Sequence, residues 1–126
     1  MQIQDPVFGR LTYERGGWVC VPHGADDGFM VSVEAPECGP SQVQRDIFSG
    51  VRTGLAELEQ QARKYVASLV DATIDVSTLT VYSVEIGDDE ESGRGWFVLE
   101  LADDEAEVVH RVEFRGDEPV GYAADD

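Results

Sequence analysis

Positive charge is what this chain has least of. Its 126 residues hold 9 Lys and Arg against 26 Asp and Glu, a formal net charge of −17, and Lys64 is the single lysine. A surface of that sign repels a phosphate backbone, so no nucleic-acid partner is expected. It repels an anionic membrane surface for the same reason. Cysteine is scarce as well. Cys20 and Cys38 form no C-x-x-C and no metal-ligand spacing, and both read as reduced thiols, bridged only if the fold brings them together. No apolar run comes near the ~20 residues that a membrane span requires. The opening Met1-Gln2-Ile3-Gln4-Asp5-Pro6 lacks the basic and apolar regions of a secretory leader, so a cytoplasmic location is expected. No catalytic motif or cofactor fingerprint stands in the sequence. No catalytic residue, cofactor or metal ligand is therefore assigned.

Apolar residues make up 42% of the chain, enough for one core, and the length fits a single domain over residues 1–126. The acids are unevenly placed. Residues 1–63 carry a net −4 and residues 64–126 a net −13. Such a surface suits a basic protein partner. An acid excess with almost no lysine also fits salt adaptation, which needs no partner.

Alternation marks the strands. Leu11 and Tyr13, then Trp18 and Cys20, share one face across a tight turn at Arg15-Gly16-Gly17, where glycine supplies the positive φ that short hairpin loops require. Phe29 to Glu34 continues the pattern. Pro40 or Ser41 then opens a helix. The stripe Val43, Ile47, Val51, Leu55, Leu58, Ala62, Val66, Leu69 recurs every three or four residues, one helix face over about eight turns. A helix from 41 to 71 would be about 46 Å long, so a bend or break is expected near Ser49-Gly50 or Gly54. Leu79–Ile86, Gly95–Leu101, Glu107–Arg115 and Val120–Ala123 complete the strands. The expected fold is α+β: an antiparallel sheet of six to seven strands, with three strands before the helix and four after. One long, bent helix packs on one face. Parallel pairing is not expected, because only one helix separates the strand groups.

Trp96 and Phe97 are adjacent in one strand and must face opposite sides. A sheet covered by helix on one side leaves one of them outward, which makes Trp96 a candidate anchor for a partner or a second copy. The segment Asp88, Asp89, Glu90, Glu91 is the densest acidic run and a candidate for steering a basic partner. With Ser92 and Gly93 it partly matches a calcium loop. Leu99 stands where the bidentate Glu belongs, so a solvated loop is the preferred reading. His110 falls on the apolar face of its strand and marks a candidate pocket, although a core histidine satisfied by hydrogen bonding is the more economical reading. Cys38 lies before a helix N-terminus, but neither His23 nor His110 is tied to it by a motif, so it reads as an ordinary thiol.

Asp5-Pro6-Val7-Phe8-Gly9-Arg10-Leu11-Thr12-Tyr13, followed by Trp18, resembles the opening of a loose group of small acidic bacterial domains of unknown function. Their shared features are a Phe-Gly-x-Leu segment, a strand and a Trp, then a helix and acidic β-hairpins. A late-strand histidine is similar to His110 between Val108 and Val112. Some of that group resemble immunity proteins of bacterial contact-dependent toxin systems. The resemblance implies an α+β fold with no known enzyme activity, and it carries over no functional residue. The expected function is thus non-catalytic protein binding of an immunity-like kind. The alternatives are a small-molecule-binding domain or weak enzyme using the His110 face, and a ligand-free homodimer that is acidic through habitat.

Overall fold

Arg15 and Gly16 both take positive φ, 53° and 85°. That backbone is a type I′ turn, whose twist matches the strands it joins. It sets Tyr13 opposite Trp18, and Leu11, Trp18 and Cys20 are buried together on one face, as the alternation requires. The computed structural model describes residues 1–20, 30–70, 75–87, 96–103 and 108–125. They form strands β1 (Gln2–Asp5), β2 (Gly9–Glu14), β3 (Gly17–Cys20) and β4 (Met30–Val33), helices α1 (Gln42–Thr53) and α2 (Leu55–Leu69), then β5 (Thr80–Ile86), β6 (Trp96–Ala102), β7 (Val109–Arg115) and β8 (Glu118–Asp125), with a 3₁₀ turn at Val76–Thr78.

The strands lie in one sheet in chain order, β1 to β8. This corrects the expected antiparallel sheet of six to seven strands: the described residues form eight, and the sheet is mixed. Neighbours run antiparallel except β4 and β5, which pair in parallel from Met30↔Ser83 to Val33↔Ile86. The physical reason is the connection. A parallel pair needs one long crossover, and residues 34–79 supply it by carrying the chain back along the sheet before β5 begins. The additional strand is β1, whose Gln-Ile-Gln-Asp sequence has too few apolar residues to stand out by alternation.

The single long helix is also corrected to two. Gly54, at φ −105° and ψ 18°, ends α1 and starts α2 without a side-chain cap. Their buried residues, Phe48, Val51, Leu58, Ala62 and Val66, share one core with Leu11, Trp18, Val31, Val33, Val84, Ile86, Leu99, Val112 and Phe114 from the sheet. The expected stripe is turned at its ends. Val43 and Leu69 are 55% and 54% exposed, while Gln44 and Phe48 are buried instead. Adjacent helical residues differ by about 100° in direction, so burying Gln44 swings Val43 into solvent.

Gln44 is held in place by four hydrogen bonds. Ser41 Oγ accepts from the Gln44 N–H at 3.2 Å, and Gln44 Oε1 accepts from the Ser41 N–H at 3.0 Å, a reciprocal cap on α1. Gln44 Nε2 donates to the carbonyls of Glu34 (2.7 Å) and Gly87 (3.0 Å). These carbonyls lie just past the C-terminal ends of the parallel strands. Gln44→Leu leaves both without that donor and removes half the cap. We expect a loss of about 2–4 kcal/mol in urea unfolding, since a buried carbonyl left unsatisfied costs about 1–3 kcal/mol.

Asp5 ties β1 to the helical layer. It is 4% exposed. Its Oδ1 accepts the N–H groups of Val7 (2.9 Å) and Phe8 (3.0 Å), and its Oδ2 accepts from Arg45 Nε on α1 at 2.8 Å. Phe8 in turn stacks on Phe48 with ring centroids 4.6 Å apart. Burial opposes ionisation of Asp5, but the two backbone hydrogen bonds and the Arg45 guanidinium outweigh it and hold the carboxyl below its ordinary value. A depressed carboxylate stabilises the fold above its unfolded pKa, and that contribution is lost as pH falls through the folded value. The stability difference between wild type and Asp5→Asn should thus stay flat above about pH 5 and shrink on further acidification. Paired denaturant melts across pH 2–7 check it, and comparison with the variant cancels the background of other acids.

Candidate functional site

The break at Gly54 opens a groove between the helices and the β7–β8 hairpin. That hairpin has a two-residue turn, Gly116-Asp117, with Gly116 at φ 64°. The groove encloses about 840 Å³. Its floor is apolar: Ile47 and Val51 from α1, Leu58 from α2, and Phe97 from β6. Phe97 is held from below by Phe114, stacked at 4.9 Å. Gly50 and Gly54 present no side chains, and a Cβ at position 50 would meet no heavy atom within 4 Å. The rim is acidic. Asp46, Glu57, Asp117 and Glu118 are exposed around the floor, with Arg115 and Gln61 as the other polar residues. None of the four carboxylates forms an ion pair with a described residue. An apolar floor within an acidic rim suits a ligand that is both cationic and apolar.

The opposite face of the sheet treats its charges differently. Arg111 bridges Glu85 at 2.9 Å and Glu100 at 3.4 Å, and Tyr82 donates its hydroxyl to Glu100 at 3.1 Å. Trp96 lies on this face, as its adjacency to the buried Phe97 demands. It is half-buried, flat against Gly87, where a Cβ would sit 1.9 Å from the indole, and the Arg115 guanidinium lies 5.8 Å from its ring. Trp96 is therefore packed within its own sheet face, and Arg115 serves both the indole and the groove.

His110 is 4% exposed. Its Nδ1 is 2.8 Å from the Tyr122 hydroxyl and the two rings stack. Burial raises the Tyr122 phenol above its ordinary value. The residues lining the groove do not include His110. The acidic run Asp88, Asp89, Glu90 and Glu91, with the calcium-like loop it begins, lies outside the described residues, as does His23. Among the described residues no cluster of three or more His, Cys, Asp or Glu could hold a metal, and no helix is long and apolar enough to cross a membrane.

Sequence reasoning missed the groove. The signal was present in Gly50 and Gly54, four residues apart at the end of α1, with Asp46 and Glu57 flanking them. Read only as a bend, the two glycines do not reveal that the hairpin from β7 to β8 stands opposite. No protein-family model matches the chain, and no curated protein or solved structure matches it significantly.

Cys20 and Cys38 are both free. Cys20 is buried, and burial pushes its thiol up to about 11, with the Arg52 charge opposing and Asp5 adding to the shift. At pH 8 such a thiol is ionised to only about one part in a thousand. Cys38 is exposed in the loop before α1. A thiol reagent should thus modify one cysteine of the native protein within minutes and the second only on unfolding, with mass spectrometry placing the first label on Cys38.

Proposed function

We propose that this chain is a non-catalytic protein-binding domain of the cytoplasm, whose groove between α1, α2 and the β7–β8 hairpin takes a basic, partly apolar segment of another protein. The single observation that carries the reading is the groove itself: four exposed carboxylates, none ion-paired with a described residue, around a floor of Ile47, Val51, Leu58 and Phe97. Charge at the rim speeds encounter and rejects acidic competitors, while the floor supplies the apolar burial that holds the complex. The net charge of −17 extends the same attraction over the whole surface, and Asp88, Asp89, Glu90 and Glu91 add to it. An immunity-like role, in which an acidic protein neutralises a basic toxin, is one form of this function.

Gly50→Leu tests the groove without disturbing the fold. The new side chain enters open space, and replacing a helical glycine favours folding by about 0.5–1 kcal/mol. Partners are captured from native lysate on the wild-type protein at low salt and identified, and each is then measured for association with both proteins. The expected result is a basic partner that binds wild type, binds Gly50→Leu at least about tenfold more weakly, and associates more slowly as salt rises. A partner that binds both proteins equally and ignores salt removes the groove as the recognition element.

A further inference from the structure

The groove does not end at the hairpin. Gln61, Asp117 and Glu118 line both it and a second hollow of about 500 Å³, which continues along α2 past Lys64 and Tyr65 to Pro119 at the start of β8. On the other face of the sheet, Gly121 and Ala123 of β8 leave a hollow of about 260 Å³ beside Val98 and Glu113. Strand β8 therefore has a recess at its start on the helical face and another beside Gly121–Ala123 on the opposite face. It is also the last strand of the sheet, and no described residue pairs with its outer edge.

Exposed edges are normally guarded by charge, proline or bulges. β8 has Pro119 at its start and a bulge opposite Glu113 and Phe114. Beyond those, Val120-Gly121-Tyr122-Ala123-Ala124 is uncharged in a chain where 28% of residues are charged. Val120 is 47% exposed. An edge that is uncharged over five residues past its proline, with a recess at its start and another on the opposite face, is the arrangement that accepts an added strand. Main-chain hydrogen bonds supply affinity, and alternate side chains fall into the two recesses.

We infer that β8 is a docking edge for an extended segment of the basic partner, which leaves the groove and continues as a ninth strand along Val120–Ala124. This inference rests on the groove reading above. Charge selects the occupant. A second copy pairing in antiparallel register along the full strand would set the acidic positions 118 and 125 opposite each other at both ends, where like charges are destabilising, and would bring together two chains of net −17. A cationic strand meets attraction at the same places.

The test uses the full ¹⁵N-labelled chain and two blocked synthetic peptides at low salt. One is Lys-Val-Arg-Val-Arg-Val-Lys. The other has the same sequence with its internal amides N-methylated, which keeps charge and side chains but removes the ladder donors. The expected result is that the first peptide shifts the amide signals of Val120–Ala124 and slows their hydrogen exchange, while the methylated copy binds at least about tenfold more weakly. Equal binding of both peptides, with shifts confined to Ile47, Val51, Gly54 and Leu58, overturns the ninth strand and leaves the groove reading standing. Failure of both peptides to bind at millimolar concentration also overturns it, and the groove is then decided by its own Gly50→Leu comparison. A concentration-dependent dimer in sedimentation equilibrium, with β8 amides protected in the absence of peptide, assigns the edge to a second copy and overturns the choice of occupant.

Discussion

The side-chain amide of Gln44 holds this fold at its one topological irregularity. Seven strand neighbours could be arranged by hairpins alone, but β4 and β5 run in parallel, and the chain must leave the sheet and return between them. Gln44 Nε2 bridges the carbonyls that follow both strands, while its Oε1 and backbone complete the cap on α1. One residue thus fixes where the helix begins, which face it turns inward, and how the parallel strands end. In open sheets with parallel strands, ligands gather beyond the carboxyl ends where the topology switches. Here that place is filled by the Gln44 amide, and the groove lined by Ile47, Val51, Leu58 and Phe97 lies elsewhere.

Its position follows from the glycines of the helical layer. Glycine costs a helix about 1 kcal/mol relative to alanine, and Gly54 is where the layer breaks so that two shorter helices follow the sheet. The same residue, with Gly50 one turn earlier, leaves a strip without side chains. The β7–β8 hairpin stands across that strip and closes the groove. A requirement of helix length and a possible binding surface thus have one physical origin.

Charge is organised by face. Across the sheet surface away from the helices, Arg111 joins Glu85 and Glu100 in half-buried pairs. On the helical side, Glu59 accepts the Val81 N–H and pairs with Arg63, whose Nε reaches the Leu79 carbonyl, so that α2 is pinned to the start of β5. Asp5 and Arg45 do the same for β1 and α1. Arg45, Arg63 and Arg111 are thus engaged in holding elements together. No described residue neutralises the exposed acids at the groove in this way, and the sheet ends beside them in a strand whose stretch Val120–Ala124 carries no charge.

The sequence by itself determined what local periodicity encodes. The seven alternating segments are strands, Leu11, Trp18 and Cys20 share a face, and Trp96 and Phe97 face opposite sides, because a strand reverses direction at every residue; that Phe97 is the inward one was decided by the fold. A helical region with an interruption near Gly54 was legible for the same reason. Position 44 was not: a glutamine in an amphipathic stripe looks exposed until two strand-end carbonyls are brought to it from residues 34 and 87. The parallel pair was hidden because direction depends on where a crossover returns the chain, and β1 because two glutamines and an acid give alternation little contrast. The groove was legible only in part. Its glycines and helical acids can be read along one segment, but its floor needs Phe97 and its far wall needs residues 115–118, brought opposite Asp46 and Glu57 only by tertiary packing. His110 could be placed on an apolar face from sequence, and only the fold brought the Tyr122 hydroxyl to its ring.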